Sequence, residues 1–240
     1  MGSPGAAERI ARVLEVFTSA STAPAAVETE DGTRWVMKLA GAGPGPYGLL
    51  IEYLAIAIAR ALGAPAPAAR PLLLPEGFPW MAGTDEFDAM LQRSFGWTLG
   101  IAFLPGAEPV GAPDLAGLDP SVLDAIALSD CFLQNVDRTA RNPNLLRSGG
   151  RVWTIDYGAC LYLSRGLGPP RPPSGGLPEG HLLAGRPISP GPLPLPRIDF
   201  DALVAGAPSD WLAAAETGPA PLAAALGGDY AAWIARVQAA

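Results

Sequence analysis

Three polar positions in the second half of the chain have types and spacing that chemistry could use. Asp137 is followed five residues later by Asn142 within NVDRTARNPNLL, and Asp156 follows the apolar run 153–155 and precedes Tyr157-Gly158 in TIDYGA. In phosphoryl transfer from a nucleotide, a loop aspartate orients or deprotonates the acceptor hydroxyl. An asparagine five residues on binds Mg²⁺, and an aspartate before a glycine binds Mg²⁺ between phosphates. The loop must be short, because its oxygen ligands converge on one small, hard cation that also takes phosphate oxygens.

Lys38 is a second signal, by scarcity. The chain has 16 basic residues, and Lys38, in RWVMKLAG, is the one lysine among them. Coding bias toward Ala, Gly, Pro and Arg explains a shortage of lysine but not the retention of one. An ammonium is a compact point charge on a flexible stem, whereas a guanidinium is a wide planar fork. A strand lysine that pairs nucleotide phosphates is held by a carboxylate on the following helix, and Glu52 lies in the helical run after Lys38.

The elements that must position these residues read as follows. ARVLEVF and AAVETEDGTRWVMKLAG form short strands around the turn signal Asp31-Gly32, a hairpin whose second strand ends at Lys38. LLIEYLAIAIARAL, 49–62, repeats apolar residues at helical spacing and stops at Gly63, with Pro65 soon after. APAARPLLLP and GWTLGIAFLPG are strand-like, so the first hundred residues read as strand, strand, helix, strand, strand. In the second half, PSVLDAIALSDCFLQ reads as a buried helix with Asp119 as N-cap and Pro120 at its first position. RVWTIDYGACLYL alternates like a strand around Asp156. Residues 165–197 are about one-third proline, too long for an ordinary loop and expected to be a lid or disordered. From Asp199 onward two or three short helices are expected, with Trp211 and Trp233 in the core.

The ordered set VMKL, LIEYLAIAIARALGAPAP, NVDRTARNPNLL and WTIDYGACL resembles the HipA-like kinases, in particular their compact, single-domain bacterial branch, over roughly residues 12–163. The resemblance implies an α+β, bilobal protein-kinase-like fold: a small β-rich N-lobe plus one helix, residues 1–103, and a mainly helical C-lobe, residues 104–240. It implies ATP and Mg²⁺ as cofactors and transfer of the γ-phosphate to a hydroxyl, with protein Ser or Thr as first choice of acceptor. By position it assigns Lys38 to the phosphates, Glu52 to the ion pair with Lys38, Asp137 to catalysis, and Asn142 and Asp156 to metal. The adenine is expected against the connection from Ala102 and Phe103 to Gly106.

Departures from the kinase pattern are equally visible. No GxGxxG precedes the lysine strand, so TSASTAP, 18–24, is expected to cradle phosphates through Ser19, Ser21, Thr22 and backbone N–H groups. The loop GAGPGPYG after Lys38 lacks the GK[ST] ending of a P-loop, and its prolines remove donors. The residue before Asp137 is Val136, so no His-Arg-Asp triplet is present. The DR-x-x-x-N and IDxG spacing is also similar to that of phosphoinositide kinases, and the Asp-to-Asn spacing to aminoglycoside-type kinases. A lipid or small-molecule acceptor, or a pseudokinase that binds nucleotide without turnover, are the alternative readings. Arg138 and Arg141 are expected to brace the loop by pairing carboxylates, and Asn144 after Pro143 to be structural.

Composition bounds the remaining classes. Hydrophobic content of 49% with 16% charge, 29 Gly and 27 Pro fits a compact protein with many turns. A net charge of −7 and a pI near 4.7 argue against nucleic acid as a partner. The longest apolar run contains Glu52 and Arg60, so no membrane span is expected. The N-terminus shows no apolar signal region, which predicts a cytoplasmic protein with Cys131 and Cys160 reduced. His181 is the one histidine, which excludes multi-histidine metal sites and argues against His-based triads, and its Pro-rich surroundings predict a surface position.

Overall fold

In the computed structural model of the chain, residues 8–18, 22–79, 84–164, 176–188 and 197–239 are described. The Asp31-Gly32 turn forms as its residues predict. Gly32 takes a φ of 83°, and the Asp31 carboxylate accepts from the Thr29 hydroxyl and the Thr33 N–H. The turn joins β2, Ala25–Thr29, to β3, Arg34–Lys38, in antiparallel register with Val27 opposite Trp35. β1, Ile10–Val16, pairs on the outside of β2. β4, Ala69–Leu74, and β5, Gly96–Ala102, complete an antiparallel sheet of order β1-β2-β3-β5-β4.

The period of two along these strands sorts their side chains to opposite faces. Trp35 and Met37 of β3 join Val13, Val27, Leu72 and Leu74 in a core capped by Phe87, Met90 and Leu91 of α2, Asp85–Gln92. Val36, by contrast, packs with Leu99 and Ile101 of β5 on the face that meets α1, Pro46–Ala61. Lys38 follows Val36 by two residues and opposes Leu99, so the strand period turns it toward α1. Helix α1 buries Leu50, Leu54 and Ile58 and gives way to Gly63 at φ 88°, the left-handed residue expected after a helix.

Helix α2 was not anticipated, so the sheet lobe carries two helices rather than one. Its signal is local: Thr84 caps the Phe87 N–H, and Asp85, Glu86 and Asp88 load the first turn with negative charge. Three strands also precede α1, where two were expected.

Beyond β5 come β6, Glu108–Pro109, a short 3₁₀ turn over Ala112–Gly117, and α3, Pro120–Leu133, with Asp119 accepting from the Ser121 N–H as its N-cap. The hairpin β7, Leu145–Ser148, and β8, Arg151–Thr154, pairs with β6. The expected strand through Asp156 therefore stops at Thr154, and α4, Leu161–Ser164, replaces its last residues. Helices α5, Phe200–Ala205, and α6, Ser209–Ala214, are short, but α7, Pro219–Ala239, runs 21 residues through Gly227-Gly228. Burial of Leu222, Leu226, Tyr230 and Trp233 against Phe132 and Phe200 outweighs the roughly 1 kcal/mol that each glycine costs a helix.

The result is the two-lobed α+β arrangement that the resemblance implies, with α1 packed on both the sheet and the helices α3 to α6. Among the described residues, no helix is long and apolar enough to cross a membrane.

Cys131 and Cys160 are buried thiols that form no disulfide. Burial raises the Cys131 thiol to about 11 and the Cys160 thiol well above its usual value. Both are expected to resist Ellman's reagent in the native chain at neutral pH and to react promptly in denaturant, read by absorbance of the released thiolate.

Candidate active site

Lys38 ends β3 on the α1 side, and its Nζ lies 2.6 Å from Glu52 Oε1 and 2.9 Å from Asp156 Oδ1. Side-chain exposure is 16% for Lys38, 4% for Glu52 and 47% for Asp156, so the lysine joins a buried acid to one that opens on solvent. Burial alone would lower the Lys38 pKa, but the two carboxylates beside it raise it above its ordinary value. Glu52 is also raised, by burial first, against the opposing pull of Lys38 and with the added charge of Asp156. The two directions differ in origin: Lys38 is raised because two carboxylates share its one ammonium, whereas Glu52 is raised chiefly because it is buried.

Asp156 sits at φ 56°, a left-handed conformation that aspartate tolerates better than most residues. Its neighbours impose it. The Thr154 N–H donates to Pro65 O, the Ile155 N–H donates to Asn144 O, and the buried Tyr157 hydroxyl donates to Thr154 Oγ1.

The loop after α3 is built around a buried acid that the sequence reading did not single out. Asp130 is fully buried. Its Oδ1 accepts from Asn135 Nδ2 at 3.2 Å, and its Oδ2 lies 2.6 Å from Arg138 Nε and 3.1 Å from His181 Nε2. Burial opposes ionisation, yet the Arg138 charge and the His181 bond hold Asp130 below the usual carboxylate range. Arg138 thus braces the loop as expected, and it also gathers the carbonyls of Pro143 and Asn144 with Nη1, which folds the loop back on itself. Arg141 is exposed and has no ion pair among the described residues.

Asp137 is held from two sides. Its N–H donates to Asn135 Oδ1, and its Oδ2 accepts from Asn142 Nδ2 at 2.9 Å and from Asn144 Nδ2 at 3.0 Å. Asn144, expected to be only structural, therefore touches the candidate base directly. With its amide nitrogen on Asp137, Asn142 keeps its Oδ1 as an acceptor.

Lys38, Glu52, Asp137, Asn142, Asn144 and Asp156 line one cleft of about 620 Å³. Thr22 also lines it, while Ser19 and Ser21 lie outside the described residues. Ala42, Pro44, Gly45 and Gly48 form another part of the wall, so the Gly-Pro loop set aside for its missing donors borders the cleft. Ala102 and Phe103 are not part of that lining. Their N–H groups donate to Ala68 O and Arg34 O.

His181 departs furthest from expectation. It is 3% exposed rather than on the surface, because the Asp130 carboxylate and the Leu183 N–H satisfy both its ring nitrogens inside the protein. The one available signal was Asp130 itself, a lone acid in the apolar second half of α3 that required buried partners.

The donor set suits a hard cation. Asp137 and Asp156 face the cleft with amide oxygen nearby, and Glu52, Asp137 and Asp156 outnumber Lys38 in charge. No three His, Cys, Asp or Glu converge among the described residues, whereas Mg²⁺ needs only one or two carboxylates because it keeps waters and takes phosphate oxygens.

No family model matches the chain, and no curated protein matches it. Among solved structures, the chain is similar to the Helicobacter pylori proinflammatory kinase CtkA, at 18% identity and a TM-score of 0.41. The match covers 64% of this chain and 59% of that one, so the chain spans about three-fifths of the length of the structure it matches.

Proposed function

We propose that the chain is an ATP- and Mg²⁺-dependent phosphotransferase of the HipA-like kinase type, moving the γ-phosphate to a hydroxyl acceptor, with protein Ser or Thr as the first acceptor class. One observation carries this reading: Lys38, Glu52, Asp137, Asn142 and Asp156, drawn from four separate segments, line a single cleft.

Lys38 donates to the α and β phosphates while Glu52 holds its ammonium in place. Asp137 orients the acceptor hydroxyl and takes its proton. The acceptor oxygen forms the new bond to the γ-phosphorus as the bond to the β,γ-bridging oxygen breaks, and ADP leaves. Asn142 Oδ1 and the Asp156 carboxylate would hold Mg²⁺, which when bound would neutralise phosphate charge. The division between lobes falls at residues 103/104, and the adenine lies against the connection that follows. Because the Ala102 and Phe103 amides are already donated and Pro105 has none, Leu104 and Gly106 are the backbone donors left there.

The test is ³²P transfer from γ-labelled ATP with Mg²⁺, using wild type and Asp156→Asn, alone and in a host lysate. Label on protein that disappears with EDTA, and a loss of at least about 10²-fold in the variant, is the expected result. The variant should melt near the wild-type temperature, since ion pairs with a solvent-exposed member contribute only about 0–1 kcal/mol. Consumption of γ-phosphate without protein label moves the acceptor to a lipid or small molecule. ATP binding without any consumption would make the chain a pseudokinase.

A further inference from the structure

We propose that residues 176–186, within the described part of the Pro-rich segment, are a strap that holds the loop carrying Asp137 from behind, with His181 as its positioning residue. The catalytic half of this inference rests on the phosphotransferase reading; the mechanical half does not.

The strap is tied along the whole of α3. At one end Gly176 O accepts from Gln134 Nε2 at the C-terminus of that helix, at 3.0 Å. At the other, Arg186 reaches Asp124 Oδ1 at 2.7 Å and Pro120 O at 2.9 Å, near the helix N-terminus. Between these anchors Leu183 packs into the cluster of Val110, Leu123, Ile126 and Leu145. In the middle the strap pairs with the loop itself: Thr139 and His181 form an antiparallel bridge, and the Leu182 N–H donates to Arg138 O at 2.8 Å.

His181 adds the side-chain link. Its Nδ1 accepts from the Leu183 N–H at 3.1 Å, which leaves Nε2 as the protonated nitrogen that donates to Asp130 Oδ2. From Asp130 the support divides. One branch runs through Arg138, the residue after Asp137. The other runs through Asn135, whose Oδ1 accepts the Asp137 N–H. Every member of this chain is buried apart from Asp137, and removing one donor from a buried carboxylate leaves the others to shift toward it. A displacement of about 1 Å in a reacting group can cost about 10²-fold in rate.

The experiment compares His181→Phe, which keeps a ring and loses both nitrogens, with His181→Gln, whose amide can still donate to Asp130. In His181→Phe, kcat for phosphate transfer is expected to fall about 10²-fold with KM for ATP unchanged, and His181→Gln to recover most of the loss. Hydrogen exchange of amides 137–142 should quicken in the Phe variant while those of α1 stay at the wild-type rate. In the wild type, the single imidazole should give one ¹⁵N pair typical of a neutral ring protonated at Nε2.

Unchanged kcat and unchanged loop exchange in His181→Phe would overturn the proposal. So would exchange that quickens throughout the chain in both variants, which marks a general loss of stability. If His181→Phe fails to fold, His181→Asn removes the Nε2 donor while keeping an acceptor for the Leu183 N–H, and the same comparison is made with it. A wild-type chain that consumes no ATP would end the phosphotransferase reading, and the exchange comparison would still decide the strap.

Discussion

Asp137→Asn is expected to lower phosphate transfer from ATP by about 10²- to 10⁴-fold, the usual contribution of a positioned general base, with little change in melting temperature. The substitution keeps shape and removes basicity. An asparagine amide oxygen placed where Oδ2 now lies would still accept from Asn142 and Asn144, at 2.9 and 3.0 Å in the wild type, so the loop keeps its hydrogen bonds. Proton acceptance is then the property that changes. Quenched-flow transfer of γ-labelled phosphate together with thermal melts by circular dichroism checks both halves. A variant that folds and transfers at the wild-type rate would remove Asp137 from the chemistry.

Lys38→Met should cost both activity and stability. Breaking a buried ion pair by removing one partner typically destabilises by about 3–5 kcal/mol, because the remaining charge stays desolvated. Here that charge is Glu52, with 4% of its side chain exposed. Its folded-state pKa is already raised by burial, and Lys38 is what restrains the rise.

The sign of the pH dependence follows. A carboxyl with a folded pKa above its unfolded value binds more protons when folded, so its contribution is fully present below the unfolded pKa and lost as pH rises through the folded one. Without Lys38 the folded value climbs further, Glu52 becomes neutral over a wider range, and the variant recovers stability as the solution is acidified. The gap in melting temperature between wild type and Lys38→Met should therefore be larger at about pH 8 than at about pH 5. A gap independent of pH would mean that Glu52 carries no uncompensated charge in the variant.

Adjacent residues determined a good deal of this protein. Asp31-Gly32 specifies its turn, Gly63 ends α1, and Asp119-Pro120 starts α3, because turns and caps are made by side chains that bond to backbone within a few residues. Strand period placed Lys38 on the face of Val36, and the five-residue interval from Asp137 to Asn142 is short enough for one side chain to reach the other. The same locality explains why α2 could have been read from its cap and acidic first turn.

Tertiary structure decided what depends on distant partners. Lys38 and Asp156 are 118 residues apart, and His181 and Asp130 are 51 apart. No periodicity or spacing encodes such a meeting, because it follows from how the helices and the sheet pack. That packing buried His181 against Asp130, brought Asn144 onto Asp137, and turned the Gly-Pro loop after Lys38 into a wall of the cleft. A buried polar group must find its hydrogen-bond partner wherever the fold supplies one, and only the folded chain says where that is.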